Sequence, residues 1–96
     1  MSENYHSHSR PEVRALVPRT ARVIVDVSCG AGAVGAALKQ DIPGAEVRGV
    51  EPHLEAAERA ARYLEDVAVL SAEAGMPASW PAPDCVIFAD VLEHLV

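Results

Sequence analysis

Two acidic residues and a glycine turn carry the chemistry that this sequence could perform. Asp26 lies in an apolar run that leads into Gly30-Ala-Gly32, and Glu51 ends the next apolar run. Glycine has no Cβ, so the turn lets the backbone approach a ligand closely. No Lys or Arg stands between Val23 and Leu38, so a ligand phosphate would meet a carboxylate without a compensating positive charge. The pattern therefore favours a cationic ligand over a phosphorylated one.

The segment 30–35 also matches G-x-G-x-x-G, and this match raises a nicotinamide dehydrogenase domain as an alternative. In that fingerprint the first glycine directly follows an uncharged strand, because the pyrophosphate packs on the helix N-terminus. Here Asp26, Ser28 and Cys29 come before the first glycine. They place an acid beside the phosphate position, which counts against a dinucleotide.

Four apolar segments have the composition of buried strands, and helical patterns separate them. The predicted strands are residues 23–27, 46–51, 67–70 and 84–89. The first is a nearly continuous β-branched run, which is typical of a strand buried on both faces. Strands that alternate with helices form right-handed crossovers in a parallel sheet. We therefore predict an α/β fold, a Rossmann-like doubly wound parallel sheet of four strands in the order 3-2-1-4 with flanking helices.

Three helices are predicted before the fourth strand from apolar residues at helical spacing. The first begins at Pro11 and ends at Pro18, the second covers residues 33–40, and the third begins at Pro52. Their apolar faces comprise Val13, Leu16 and Val17; Val34, Ala37 and Leu38; and Leu54, Ala57, Ala61 and Leu64. Trp80 is expected to hold the proline-rich loop 71–83 against the body of the domain.

The predicted topology brings the polar residues to one place. Ligands of such sheets bind at the carboxyl ends of the strands where the winding reverses, which here means strands 1 and 4. The glycine turn, Glu51, the loop at Ser71 and the pair Ala89–Asp90 all fall at this edge. Four separate segments therefore indicate one site.

At this point the chain resembles the class I S-adenosylmethionine-dependent methyltransferases, especially the large group with an acid-x-Gly-Cys-Gly-x-Gly motif. The resemblance begins with Asp26-x-Ser28-Cys29-Gly30-x-Gly32 and continues through the run that ends in Glu51, the loop 71–74 and residues 84–95. It implies an enzyme that transfers a methyl group from S-adenosylmethionine to an unidentified acceptor. Residues 10–96 would form the cofactor-binding half of the methyltransferase domain, behind a flexible tail of residues 1–9.

The resemblance implies one set of residues around the methionine part of the cofactor. Asp26 would orient the methionine amino group, directly or through water. Gly30 and Gly32 would let the backbone pass close to the methionine part and the ribose. Ala89 would border the methionine part from the other side.

A second set is implied around the nucleoside part. Glu51 would accept hydrogen bonds from both ribose hydroxyls, which suits a carboxylate with two acceptor oxygens. Pro52 would cover one face of the adenine, and the loop at Ser71–Ala72 would read its edge. The same residues would bind S-adenosylhomocysteine.

Two positions depart from the family pattern. Ser28 stands where the family usually has glycine, and Ser71 stands where an aspartate commonly binds the adenine amino group. A Cβ narrows the turn, and serine is shorter than aspartate and uncharged. Weaker cofactor binding is therefore expected, and a non-catalytic relative that keeps the fold is the second alternative.

Catalytic and metal-binding residues are not assigned. Methyl transfer is a direct displacement that needs alignment, with a base only if the nucleophile holds its proton. Nothing in the sequence is a convincing catalytic base. Asp90 and Glu93 have the spacing of a capping box; with His94 they resemble the acid-x-x-Glu-His metal cluster of some small-RNA and quinone O-methyltransferases. We predict the capping role and no metal.

Composition limits the partners. The 96 residues make one domain at most, and a net charge of −6 argues against a nucleic-acid backbone or an anionic membrane as the main partner. No apolar run approaches the ~20 residues that span a bilayer, and no signal-like segment is present. Cys29 and Cys85 are expected to be reduced thiols in a cytoplasmic protein. The fourth strand would expose an unpaired edge, so self-association there is expected.

Overall fold

The computed structural model describes residues 9–89, in which strands alternate with helices. In chain order the elements are α1 (Pro11–Arg14), β1 (Val23–Val27), α2 (Ala33–Asp41), β2 (Glu46–Val50), α3 (Leu54–Ala60), β3 (Asp66–Ala68), a 3-10 turn (Ala72–Ala74) and β4 (Cys85–Ile87). The predicted tail, except for its last residue, and the residues of the predicted capping box, Asp90 and Glu93, lie outside the described residues.

The strands form one parallel sheet in the order β3-β2-β1-β4. β1 pairs with β2 from Val23 opposite Glu46 to Val27 opposite Val50, and with β4 from Ile24 opposite Cys85. The predicted sheet and its strand order are therefore confirmed. Because all four strands run the same way, their carboxyl ends meet at one edge.

The residues of β1 alternate between the two faces of the sheet. Ile24 packs with Val47 and Leu38 on the face covered by the helices, which we call the helix-side core. Val25 and Val27 pack with Val50 on the opposite face, the loop-side core. By the same alternation Asp26 belongs to the helix side, at the end of the strand and opposite Gly49 of β2.

The loop between β3 and β4 covers the loop-side core. Leu70, Ala72, Met76 and Trp80 pack against it. The Trp80 indole also donates a hydrogen bond from Nε1 to Asp66 Oδ2 at 3.0 Å. The expected role of Trp80 in holding this loop is thereby confirmed.

Three residues expected to face the core do not. Leu16 is 82% exposed and Leu54 is 59% exposed, and Ala61 is exposed as well. α1 is a single turn that ends at Arg14, so the helical spacing no longer applies at Leu16. α3 ends at Ala60. Of the predicted face Ala57 and Leu64 are buried as expected, and Ala60 is buried in place of Ala61.

The two cysteines lie near opposite ends of neighbouring strands. Cys29 follows the carboxyl end of β1, and Cys85 begins β4, where it lies beside β1. Both are free thiols in this structure. Within residues 9–89, no helix has the length and the apolar character needed to cross a bilayer.

An ion pair fastens α1 to the end of α2. Arg14 Nε donates to Asp41 Oδ2 and Arg14 Nη2 donates to Asp41 Oδ1, both at 2.9 Å. This two-bond geometry raises the pKa of Arg14 and holds the pKa of Asp41 below its ordinary value. The pair therefore fixes the start of the described chain against the domain.

Replacing Asp41 by asparagine should lower the free energy of unfolding at neutral pH by about 0.5–1 kcal/mol, because a partly exposed but two-bonded pair is lost. The pKa of Asp41 is lower in the folded chain than in the unfolded one. The contribution is therefore fully present above the ordinary value of about 3.9 and disappears as the pH falls through the folded value. Urea unfolding of wild type and Asp41→Asn at several pH values measures this difference.

Glu46→Gln is the matched control, because Glu46 pairs with Arg48 at 2.8 Å on a half-exposed side chain. Its effect should be about half a kcal/mol or less. A difference between wild type and Asp41→Asn that stays constant down to pH 2 would contradict the pairing argument.

Candidate functional site

The turn after β1 is held by the end of β2. The amides of Ser28 and Cys29 both donate to the carbonyl oxygen of Val50, at 2.7 and 3.1 Å. The Gly32 amide donates to the carbonyl of Cys29 at 3.1 Å and closes the turn before α2. Ser28, Gly30 and Gly32 all have positive φ, at 63°, 56° and 91°. This backbone explains why the sequence uses small residues at alternate positions.

The two glycines of the turn serve different purposes. A Cβ at Gly30 would meet no atom within 4 Å, so this stretch of backbone faces open space that a ligand can enter. A Cβ at Gly32 would lie 3.0 Å from Cα of Ala60, so glycine there lets α3 pack against the turn. The structure thus gives Gly32 a packing role, and its contact with a cofactor stays a prediction.

A cavity of about 260 Å³ opens beside this turn. It brings together four of the predicted site residues, Asp26, Ser28, Gly30 and Ala89. Asp26 is 4% exposed, so the cavity has a buried acid in its wall. The remaining lining residues are Arg10, Val27, Cys29, Ala31, Ala33 and Val34.

Glu51 lies next to the cavity and does not line it. Its carboxylate is buried, at 5% exposed for the residue, and Oε1 accepts a hydrogen bond from the Gly30 amide at 2.8 Å. Oε2 accepts from the His53 amide at 3.1 Å and lies 2.8 Å from Nδ1 of the His53 ring. Glu51 therefore fixes the position of Gly30, and His53 is a partner that the sequence did not reveal.

The two carboxylates act on the same thiol. Burial, and to a lesser extent the negative charges of Asp26 and Glu51, together raise the pKa of Cys29 to about 12. The thiol therefore stays protonated at neutral pH and is no nucleophile. The effect of both acids on one atom shows that the interior of the turn is electronegative.

The predicted nucleoside residues lie apart from the cavity. Pro52 is exposed just after Glu51, and Ser71 is exposed just before the 3-10 turn. Ala72 packs against the loop-side core instead. Pro52, Ser71 and Ala72 are not among the residues that line the cavity.

Arg10 is a cavity residue that the sequence analysis missed. It lines the cavity together with Asp26, although it precedes the glycine motif by many residues. The segment from Val23 to Leu38 contains no Lys or Arg, but the folded site contains the positive side chain of Arg10. Only the folded arrangement of α1 brings this guanidinium to the turn.

The described residues contain no cluster of three or more His, Cys, Asp or Glu side chains placed to hold a metal ion. Asp90, Glu93 and His94, the residues of the predicted capping box and its metal alternative, lie outside them.

The parallel sheet, the glycine turn and the acids at its edge agree with a family match. The model of the methyltransferase small domain family matches residues 9–76, and the chain belongs to that family. No curated protein matches the chain in sequence.

Solved methyltransferase structures share the fold. The plantazolicin methyltransferase BpumL in complex with SAH superposes with a TM-score of 0.64 at 19% identity, over 88% of this chain and 38% of that one. The sugar N-methyltransferase KedS8 from Streptoalloteichus sp ATCC 53650 gives 0.63 at 26% identity, over 88% and 34%. The StiE O-MT gives 0.64 at 15% identity, over 84% and 31%. The chain therefore spans about a third of the length of the structures that it matches.

The left-handed backbone at Ser28 leads to a stability prediction. A residue with a Cβ loses about 1–2 kcal/mol in this conformation, whereas glycine adopts it freely but costs about 0.5–1 kcal/mol in chain entropy. Ser28→Gly should therefore raise the free energy of unfolding by about 0.5–1 kcal/mol. Denaturant unfolding measures the change.

Ser79→Gly serves as the control, because Ser79 is an exposed loop residue without positive φ. This variant should be neutral or slightly destabilised, since only the entropy cost applies. Equal effects of the two substitutions would mean that Ser28 is not strained.

Proposed function

We propose that residues 10–96 form the cofactor-binding portion of an S-adenosylmethionine-dependent methyltransferase. The observation that carries the proposal is the cavity at the carboxyl edge of β1 and β4, with Asp26 buried in its wall and Glu51 fixed beside it. Family membership and the likeness to BpumL, a methyltransferase solved in complex with SAH, support the same cofactor here. The methyl acceptor and the catalytic residues are unassigned.

Charge supports a sulfonium cofactor over a dinucleotide. Opposite charges about 4 Å apart near a protein surface attract by about 4 kcal/mol, and like charges repel by a similar amount. At the turn the carboxylates of Asp26 and Glu51 outnumber the guanidinium of Arg10, so a pyrophosphate placed there would meet a net negative charge. The cationic cofactor would be attracted by the same field.

The size of the cavity supports a division of the cofactor between two places. Ligand pockets usually measure about 300–1,000 Å³, and this cavity of about 260 Å³ is slightly smaller. We assign it to the methionine part, with Asp26 as the partner of the amino group and Ala89 at its border. The ribose and adenine then lie on the side of Glu51, Pro52 and Ser71–Ala72.

Glu51 has the capacity for the ribose in addition to its present partners. Each carboxylate oxygen carries two lone pairs. Gly30 uses one on Oε1, and His53 engages Oε2. Oε1 can therefore accept one ribose hydroxyl while the turn keeps its shape, and Oε2 can accept the other in place of the His53 ring.

The chain's own part in the reaction is to bind and orient. S-adenosylmethionine, when bound, supplies an electrophilic methyl group on a sulfonium centre. Asp26 would set the direction of the methionine chain, and the apolar walls of Val27, Ala33 and Val34 would exclude water from it. Fixed alignment of the reacting groups is what such a displacement requires.

Glu51→Ala should lower the affinity for S-adenosylhomocysteine at least about 100-fold, because two hydrogen bonds to a charged group are lost. Isothermal titration calorimetry measures it. Glu51→Gln keeps the side-chain shape and one acceptor oxygen, so it should lose about tenfold. Glu55→Ala, an exposed substitution on α3, is the control and should bind as wild type does.

The outcomes distinguish the candidate functions. Undiminished binding by Glu51→Ala would make the ribose assignment wrong. Binding of NAD in place of S-adenosylhomocysteine would favour the dehydrogenase alternative. Binding of neither ligand by wild type would favour a non-catalytic relative. The positive φ of Ser28 and the uncharged side chain of Ser71 support the same alternative.

We also propose that copies of the chain associate through β4. In the described residues β4 pairs with β1 only, and Phe88, next to its end, is 50% exposed. An unpaired edge with a neighbouring aromatic side chain is a template for another strand. The two free thiols agree with a reducing compartment such as the cytoplasm, which we propose as the location.

Sedimentation velocity should show a concentration-dependent dimer. Phe88→Ser should weaken it, because the exposed aromatic surface beside the edge is removed. Leu16→Ser is the control. Leu16 is more exposed than Phe88 but is distant from β4 in the sequence, so its replacement should leave the dimer unchanged. A monomer at all concentrations would contradict the association.

A further inference from the structure

We propose that the side-chain ring of His53 competes with the cofactor for Glu51 and thereby lowers the affinity of the site. The ring occupies the acceptor position on Oε2 that a ribose hydroxyl would take, so cofactor binding requires the ring to leave. This inference rests on the proposed function. It concerns the nucleoside side of the site, because neither His53 nor Glu51 lines the cavity after β1.

Three of the four acceptor positions of the Glu51 carboxylate are taken. Each carboxylate oxygen has two lone pairs. Oε1 accepts from the Gly30 amide at 2.8 Å and keeps one lone pair for a further donor. Oε2 accepts from the His53 amide at 3.1 Å and lies 2.8 Å from Nδ1 of the His53 ring. A carboxylate only accepts, so Nδ1 is the donor. A ribose hydroxyl can therefore reach Oε2 only in place of one of these two donors.

The ring is the donor that can leave. The His53 amide belongs to the backbone at the start of α3, where the His53 carbonyl accepts from the Ala57 amide at 2.9 Å. The ring has no such constraint, because the His53 side chain is 82% exposed whereas that of Glu51 is 6% exposed. Exposed side chains change rotamer within roughly nanoseconds. The ring can thus turn into solvent while the backbone of α3 stays in place.

The position of Glu51 does not depend on the ring. The amides of Gly30 and His53 each hold one oxygen of the carboxylate, and both bonds remain when the ring is removed. The ring therefore stabilises the carboxylate without being needed to orient it. A ligand that takes Oε2 must give up that stabilisation, and its apparent affinity falls with the fraction of molecules in which the acceptor is accessible.

The His53 side chain has no capping role that would obscure this effect. His53 precedes α3 with φ −91° and ψ 118°, and its side chain makes no capping hydrogen bond to the helix. Its two backbone hydrogen bonds, to Glu51 and from Ala57, are retained by any residue other than proline. Substitution consequently removes the contact between the ring and Oε2 and little else.

A supporting role of the ring would have the opposite signature. If the ring oriented Glu51 or contacted the cofactor itself, its loss would weaken binding. If the ring competes, its loss strengthens binding, and only for ligands whose ribose hydroxyls reach Oε2. The direction of the change and its dependence on the hydroxyls separate the two roles.

The experiment compares two ligands by calorimetry on the full chain, S-adenosylhomocysteine and its 2′,3′-dideoxy analogue. His53→Ala should raise the affinity for S-adenosylhomocysteine about two- to tenfold, the range expected when one competing hydrogen bond is lost. The affinity for the analogue should change by less than about twofold, because that ligand has no hydroxyl to place on Oε2. His53→Leu keeps side-chain bulk without a donor and should behave as His53→Ala does.

Two controls and a direct observation of the ring complete the test. Glu55→Ala, an exposed substitution on α3, should leave both affinities unchanged. In a Glu51→Ala background, His53→Ala should have less than about a twofold effect, because the contested carboxylate is absent. The ring nitrogen NMR signals of His53, assigned by their loss in His53→Ala, should shift on addition of S-adenosylhomocysteine and not of the analogue. The melting temperature of each variant shows whether it folds as wild type does.

Two results would overturn the inference. One is an unchanged or lowered affinity of His53→Ala for S-adenosylhomocysteine, and the other is an equal gain for both ligands. In either case wild type still binds S-adenosylhomocysteine, so the proposed function stands and the inference about His53 alone is wrong. If neither wild type nor His53→Ala binds it, the proposed function fails and the inference fails with it. Binding by His53→Ala alone would support both.

Discussion

The hydrogen bond between the Glu51 carboxylate and the Gly30 amide joins the two halves of the site. Glu51 directly follows β2 and Gly30 lies in the turn after β1, so the bond sets the position of the turn relative to the neighbouring strand. A buried carboxylate without partners would be costly, and here both of its oxygens are engaged. The Val50 carbonyl adds two further bonds to the same turn. The shape of the candidate site therefore depends on how β2 ends as much as on the glycines.

The site combines charges of both signs around an apolar wall. Asp26 and Glu51 bring negative charge to the turn, and both add to the effect of burial in raising the pKa of Cys29. Arg10 brings a positive group to the same cavity from the start of the described chain. The fold alone is shared by many enzymes, so this distribution of charge is what makes the site particular.

The sequence predicted the sheet well because its strands are local patterns. A run of β-branched residues bounded by a glycine turn defines β1, and alternation with helices then fixes the strand order through the handedness of the crossovers. Asp26, Gly30 and Ala89 were placed at one edge by this topology, and they line one cavity. The helix faces were predicted less well. Leu54 lies at the first position of α3, and the core contact falls on Ala57 and Ala60 because Gly32 admits Ala60 closely.

Arg10 could not be predicted from spacing. Its place in the cavity depends on a left-handed residue before α1 and on the ion pair that fastens α1 to α2. The ion pair joins segments that are 27 residues apart, so spacing within a motif gives no sign of it. A motif read along the chain counts only the charges within the motif, whereas a cavity collects charges from every segment that packs around it.

Trp80 gives the molecule an internal optical probe. It is the single tryptophan of the sequence, and its indole is hydrogen-bonded to Asp66 and packed on the loop-side core. The emission of the chain at long wavelength therefore originates from the segment that follows Ser71 and Ala72, and not from the turn after β1. Fluorescence of the unlabelled protein consequently reports on the loop that carries Ser71 and Ala72, the two residues proposed to contact the adenine.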